Sequence, residues 1–160
     1  MKDIVCTIVF LLRNDEILLA MKQRGIGQGY WNGPGGKVEP GESIECAMIR
    51  ECQEEIGVTP TAYTKVAYHD FVLQNEEGSW HQWTHVYLAS EWHGEPTPSD
   101  EMIPRWFKQN DIPYDHMWPD DQIWLPIVLN GKKLRTEFRL TQDYQVESQQ
   151  IVEVEELSDV

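Results

Sequence analysis

Between Ser43 and Gly57 the chain reads as one helix that must be both docked and charged, and that double demand narrows what the rest can be. Advancing ~100° per residue, the helix gathers Ile44, Met48, Ile49, Cys52 and Ile56 on one broad apolar arc, which requires a sheet beneath it. Glu51, Glu54 and Glu55 fall together on the adjoining arc. Like charges at these spacings repel by roughly 0.2–0.5 kcal/mol per pair, so a helix shaped by stability alone would set a lysine among them. Only Arg50, at i,i+4 to Glu54, relieves them in part. A solvated acidic face is the bland explanation of such a helix, and what stands around it argues for another.

Around that helix the chain alternates strand and turn signals. Strands are expected at about 3 to 12 and 16 to 22, followed by a glycine-rich loop from Gly25 to Gly36 and the helix itself, stopped by Gly57. Further strands fit Tyr63 to Leu73, Trp83 to Ser90 and Arg105 to Lys108. A second helix fits about Asp120 to Asn130, with Gly131 as its stop and Pro126 predicting a kink. Alternation around Leu134 to Leu140 and Gln145 to Val154 predicts a closing hairpin, and the acidic end is expected to fray. Elements interleave without strict βαβ order, which favours an α/β (α+β) architecture: a mixed sheet sandwiched between helices. No repeat or linker divides the 160 residues, so a single domain spanning 1 to 160 is expected.

Charge and cysteine usage bound the partners. A net charge of −14 repels polyanions, which argues against a gripped nucleic-acid polymer and means that an anionic substrate would need a metal. No apolar run approaches the ~18 residues of a membrane span. Lys2 and the run Ile4 to Leu12 look superficially like a signal sequence, but Asp3 and a second apolar run from Ile17 to Met21 fit two strands better. Cys6, Cys46 and Cys52 form no CxxC pair and are odd in number, which points to a reducing cytoplasm. His81 and His85, set among Trp80, Trp83 and Val86, read as strand residues rather than ligands. A cytoplasmic monomer without a membrane partner is expected.

The spacing around the acidic helix is specific. It runs Gly36, five residues, Glu42, seven residues, then Arg50-Glu51-Cys52-Gln53-Glu54-Glu55-Ile56-Gly57-Val58. This resembles the signature of the Nudix hydrolases with every fixed position filled, and seven such matches have a chance occurrence on the order of 10⁻⁸ per starting position. Cys52 stands where the pattern has a bulky aliphatic residue, though a buried cysteine behaves as a small hydrophobe. The resemblance implies hydrolysis of a phosphoanhydride by water, with Mg²⁺, or Mn²⁺, held by hard oxygen donors. Glu51, Glu54 and Glu55 are the implied metal ligands, joined by the Gly35 carbonyl and by Glu101, for which an ordinary loop acid is the alternative. One of the three helical glutamates would also take the proton from water, and the residues leave open which. Arg50 is expected to orient Glu54 or Glu42 rather than touch substrate. Gly33, Gly35 and Gly36 let backbone approach phosphate or metal, and Lys22, Arg24 and Lys37 are the nearest candidate phosphate contacts.

Outside that signature, Met21-Lys22-Gln23-Arg24-Gly25, Tyr30-Trp31-Asn32-Gly33-Pro34-Gly35-Gly36-Lys37, Asp100-Glu101-Met102 and Met117-Trp118-Pro119-Asp120-Asp121 resemble the MutT-type branch that acts on oxidised purine nucleoside triphosphates. That likeness implies a substrate such as 8-oxo-dGTP, cut to the monophosphate and pyrophosphate in sanitation of the nucleotide pool, a service to DNA repair. It implies that Asn32, Asp120 and Asp121 hydrogen-bond the purine while Trp118 stacks on it, with Thr7, Pro34 and Pro119 also against substrate. Two adjacent desolvated acids sharing one proton can both accept from and donate to a base. Helix capping is the alternative for the two aspartates. Ile26 stands where an aromatic wall is expected, and Gln74 to Trp83 departs from the branch. Another nucleotide substrate, or a silent nucleotide-sensing module, are the competing readings.

Overall fold

The computed structural model describes residues 2–75 and 78–160; positions 76 and 77 of the divergent 74–83 stretch lie outside it. The centre is strand β1 (Lys2–Arg13), which pairs in parallel with β6 (Gly78–His93) along one edge. Its other edge pairs antiparallel with β4 (Gly35–Lys37) at Cys6–Ile8 and, past that, with β2 (Glu16–Lys22). β2 carries β3 (Trp31–Asn32) and β7 (Met102–Lys108); beyond β6 follow β5 (Thr59–Asn75), β8 (Lys133–Leu140) and β9 (Val146–Val154). Parallel and antiparallel pairs coexist in this nine-stranded sheet.

Period-two alternation sorts the side chains to two cores. Phe10, Ile17, Leu19, Val86 and Phe138 face α2 (Asp121–Leu129), whose Trp124, Leu125 and Val128 complete that layer. Val9, Leu11, Leu18, Tyr87 and Ala89 face α1 (Ile44–Ile56) and its Met48, Cys52 and Ile56. The sheet is therefore sandwiched between helices, as the sequence predicts. Each fully buried aliphatic or aromatic side chain contributes about 1.5–3 kcal/mol relative to exposure, and among the described residues Trp124, Phe10 and Phe138 are the largest sealed from solvent.

Several limits differ from the sequence expectation. β5 and β6 extend well beyond 63–73 and 83–90, because register shifts at Pro60, Ala62 and Lys65 keep an irregular stretch paired where Thr59-Pro60-Thr61 looks like loop. The glycine-rich stretch is not all loop: β3 and β4 lie inside it, and Gly35 and Gly36 make strand pairs with Ile8 and Thr7. α2 runs through Pro126 to Leu129. The acidic end is not frayed. Leu157 is buried, Lys65 Nζ donates to the Val160 carbonyl at 2.8 Å, and Arg135 pairs with Asp159 at 3.0 Å. One apolar side chain amid acids, anchored by two cations, is enough to dock it.

Candidate active site

The acidic helix is fixed at both ends: Ser43 Oγ accepts from the Cys46 amide at 3.1 Å, and Gly57, at φ 72°, closes the last turn onto Gln53. With the apolar arc pressed on the sheet, Glu55 sits at its border and is itself 3% exposed, and its Oε2 has no hydrogen-bond partner. Burial, then the neighbouring Glu51 charge, raise the Glu55 carboxyl to about 8, with Lys22 opposing. Glu51 lies against Gly36 so closely that a Cβ there would come within 2.5 Å of the Glu51 carboxyl carbon. Only glycine fits.

Arg50 binds the acids together. Its Nε and Nη2 donate to the two Glu42 oxygens at 2.7 and 2.9 Å, its Nη1 to Glu51 at 3.0 Å and Glu54 at 3.3 Å, and Nη2 also to the Lys37 carbonyl at 3.1 Å. This bidentate clamp, reinforced by the Glu39 amide, pulls the Glu42 carboxyl down to about 2. The expected partners Glu42 and Glu54 are both met, and Glu51 is a third.

Glu101 comes to the same side of the molecule on the loop before β7. Lys22 Nζ approaches its Oε2 at 3.6 Å and Arg24 its Oε1 at 3.3 Å, while the Gln23 amide donates to its carbonyl at 2.8 Å. Its charge adds to the rise of Glu55, so the four carboxylates Glu51, Glu54, Glu55 and Glu101 share one neighbourhood with Lys22. As the side chains stand, no three acidic, histidine or cysteine groups among the described residues enclose a single point. The donor set is all oxygen, and a buried carboxylate oxygen without a partner beside a second acid is what a hard dication would satisfy. On that chemistry the residues fit Mg²⁺ or Mn²⁺.

A cleft of about 150 Å³ opens next to these acids, lined among others by Thr7, Lys22, Asn32, Gly35, Gly36 and Trp118. The Thr7 hydroxyl is buried there without a partner. Asn32 Oδ1 accepts from the Gly33 amide at 2.8 Å, which pins the side chain. Pro34 is buried and accepts from the Val9 amide at 3.0 Å, and a Cβ on Gly35 would strike the Thr7 carbonyl at 1.8 Å. Lys37 is exposed and serves the site through its carbonyl. Ile8, Tyr30, Gln82 and Met102 also line the cleft; of these, Gln82 could have been placed only with the strand pairing in hand.

Asp120 and Asp121 do not line the cleft. They lie 6% and 3% exposed at the start of α2, with Trp118 and Pro119 just before them. Asp120 caps no amide; its Oδ2 accepts from Trp124 Nε1 at 2.8 Å, and Asp121 Oδ2 has no partner. The capping alternative is thus not realised for Asp120. Burial raises Asp120 to about 6, and burial together with the Asp120 charge raises Asp121 well above the usual carboxylate range. His69, on β5, contacts Trp124 from the other side with centroids 4.3 Å apart and bonds Thr136 Oγ through Nδ1 at 2.7 Å. His69 carries no sequence signal beyond a polar residue in an apolar strand. His81 and His85 lie on β6, as strand residues.

Known proteins resemble this chain along most of its length. A family model described as "NUDIX domain" matches residues 2–127. The mouse oxidized purine nucleoside triphosphate hydrolase is 38% identical over 149 residues, covering 93% of this chain and 94% of the relative. Its zebrafish counterpart, from Danio rerio, is 38% identical over 94% of this chain and 96% of its own length. Among solved structures, a MutT protein from Bacillus halodurans superposes with a TM-score of 0.80 at 29% identity, covering 92% of this chain and 97% of the other.

Proposed function

This chain belongs to the Nudix hydrolase family, and from that premise we propose that it hydrolyses oxidised purine (deoxy)nucleoside triphosphates such as 8-oxo-dGTP to the monophosphate and pyrophosphate. Two relatives matched over nearly their whole length are named oxidized purine nucleoside triphosphate hydrolase. The observation that carries the reading to this chain is the cleft wall formed by Asn32 and Trp118, with the buried Asp120–Asp121 pair, held above the usual carboxylate range and with one oxygen unpartnered, just after Trp118 at the start of α2. Two acids sharing a proton can donate to one edge atom of a purine and accept from its neighbour, and oxidation of guanine or adenine rearranges those atoms. Asn32 adds an amide with one oxygen already engaged, and Trp118 offers its ring as the stacking platform.

At the other end of the cleft the task is charge. Lys22, Arg24 and the loop backbone at Gly35 and Gly36 meet the polyphosphate in a protein whose net charge would otherwise repel it. Members of this family generally require a divalent cation; Glu51, Glu54, Glu55, Glu101 and the Gly35 carbonyl would hold it, and when bound it neutralises phosphate oxygens and acidifies water. Arg50 keeps Glu51 and Glu54 in place. One of the helical glutamates accepts the proton of the attacking water as a new oxygen–phosphorus bond forms and the bridging phosphoanhydride bond breaks, giving the monophosphate and pyrophosphate. No helix among the described residues is long and apolar enough to cross a membrane. The three cysteines are free, which supports a reducing compartment such as the cytoplasm, and we take the working unit to be a monomeric domain spanning 1 to 160.

Pyrophosphate release across a nucleotide panel tests the proposal. The expected result is a kcat/KM for at least one oxidised purine triphosphate that exceeds its unoxidised parent by tenfold or more. Equal turnover of dGTP and 8-oxo-dGTP, or preference for a nucleotide sugar, would move the substrate elsewhere in the family. Binding without turnover would identify a sensing module.

A further inference from the structure

Trp118 is held from several directions. Tyr30, on the lip of the cleft, meets its ring edge-on with centroids 5.2 Å apart, and a Cβ on Gly27 would lie 3.3 Å from its Cζ2. Tyr144, in the turn between β8 and β9, meets it at 4.9 Å and 72°. Tyr30 and Gly27 belong to the cleft wall and Tyr144 does not. Tyr144 therefore reaches the indole from outside the space that a nucleotide would fill.

The turn that presents Tyr144 is costly. Its φ is +62°, in the left-handed region, where a bulky side chain crowds its own backbone. Asn14, the other non-glycine residue with positive φ among the described residues, is of the type that tolerates that conformation, and Tyr144 is not. The conformation is enforced by a closed set of hydrogen bonds. The Thr141 amide donates to the Gln145 carbonyl at 2.9 Å, the Tyr144 amide to the Thr141 carbonyl at 3.0 Å, and the Gln145 amide to Thr141 Oγ at 3.1 Å. The Tyr144 hydroxyl makes no hydrogen bond among the described residues, so the ring is the part in use. Strain of this kind persists where the surrounding structure over-determines it, and such positions cluster at binding sites.

We infer that Tyr144 is a positioning residue for base recognition: its ring sets the orientation in which Trp118 stacks on the purine, and the strained turn is retained for that contact. The inference rests on the reading of Trp118 as the base platform. An edge-to-face aromatic pair of this kind changes an equilibrium by about three- to tenfold, and that is the size of effect expected.

The test compares wild type with Trp118→Ala, Tyr144→Asn, Tyr144→Gly, Tyr144→Ala and Tyr144→Phe. Calorimetry of 8-oxo-dGMP binding without metal reads the base pocket alone; steady-state hydrolysis of 8-oxo-dGTP separates KM from kcat; thermal melting reads the turn. Tyr144→Asn should raise Kd and KM about three- to tenfold and leave kcat unchanged, while its Tm balances relief of the left-handed backbone against loss of the ring's packing on the core. Tyr144→Phe should behave as wild type. Unchanged Kd and KM in Tyr144→Asn, or an equal loss in Tyr144→Phe, would overturn the inference. A Tm for Tyr144→Gly no higher than for Tyr144→Ala, which loses the same ring but keeps the strain of a Cβ at positive φ, would overturn the claim that the turn is strained. If Trp118→Ala binds 8-oxo-dGMP as tightly as wild type, the base-pocket reading fails first; if it binds weakly while Tyr144→Asn does not, the inference alone fails.

Discussion

The acids of α1 and the acids at the start of α2 lie on opposite faces of one sheet and are treated in opposite ways. Around α1 a guanidinium reaches Glu42, Glu51 and Glu54 and keeps Glu42 far below the usual carboxylate range, leaving a Glu55 oxygen buried and unmet. At α2 no basic side chain among the described residues bonds either aspartate; an indole N–H donates to Asp120. The first arrangement conserves negative charge and leaves a deficit that a cation fills. The second leaves a deficit that a proton fills. Identical chemical groups are thus set for phosphate chemistry in one place and for reading a base in the other, by neighbours and burial alone.

The comparison breaks most sharply at Glu55. Glu55→Gln should lower kcat by roughly 10³-fold while Tm is unchanged or higher, since the substitution removes a buried acid without changing shape. Near-normal turnover would mean that the charged cluster is not the catalytic one. On the other face, Asp120→Asn keeps an acceptor for Trp124 but fixes one hydrogen-bonding pattern. It should raise KM for 8-oxo-dGTP roughly tenfold and leave kcat alone. A loss in kcat instead would show that the two faces do not divide the work as argued.

The contrast was only partly legible in the chain. Helix α1 was readable because its caps, its apolar arc and its fixed spacing all agree within fifteen or so residues, where geometry is local. The Asp120–Asp121 pair was readable as a motif, but its burial was not, because the residues that dry it out, Trp124 and His69, arrive from α2 and from a strand fifty residues away. Glu101 was picked out as an acid near the site, yet its engagement by Lys22 and Arg24 depends on β2 and β7 lying side by side. Tyr144 gave no signal, since turn chemistry predicts glycine or asparagine at positive φ.

The smallest expected effect concerns the support beneath the dry pair. His69 is fully buried and burial depresses its imidazole to about 3. The unfolded chain, at the ordinary value near 6.5, therefore takes up the proton first. The stability His69 contributes is present above pH 6.5 and is lost as pH falls from 6.5 toward 3, by roughly 2 kcal/mol at pH 5. Asp120 and Glu55, raised in the folded state, act in the opposite sense and are gained on acidification, so the informative quantity is a difference between proteins. Denaturant unfolding of wild type and His69→Phe/Thr136→Val at pH 7.5 and 5 should show the gap moving in favour of the variant as pH falls. A pH-independent gap would remove His69 from this account.

Gly35 and Gly36 stand side by side, but they forbid side chains for unrelated reasons: one would collide with the β1 backbone and the other with the Glu51 carboxyl. A variant at 35 therefore disturbs strand pairing, whereas a variant at 36 displaces a functional group and leaves the sheet intact. Intolerance to substitution at adjacent positions can thus report two separate selections, one on the quantity of protein and one on what each molecule can do.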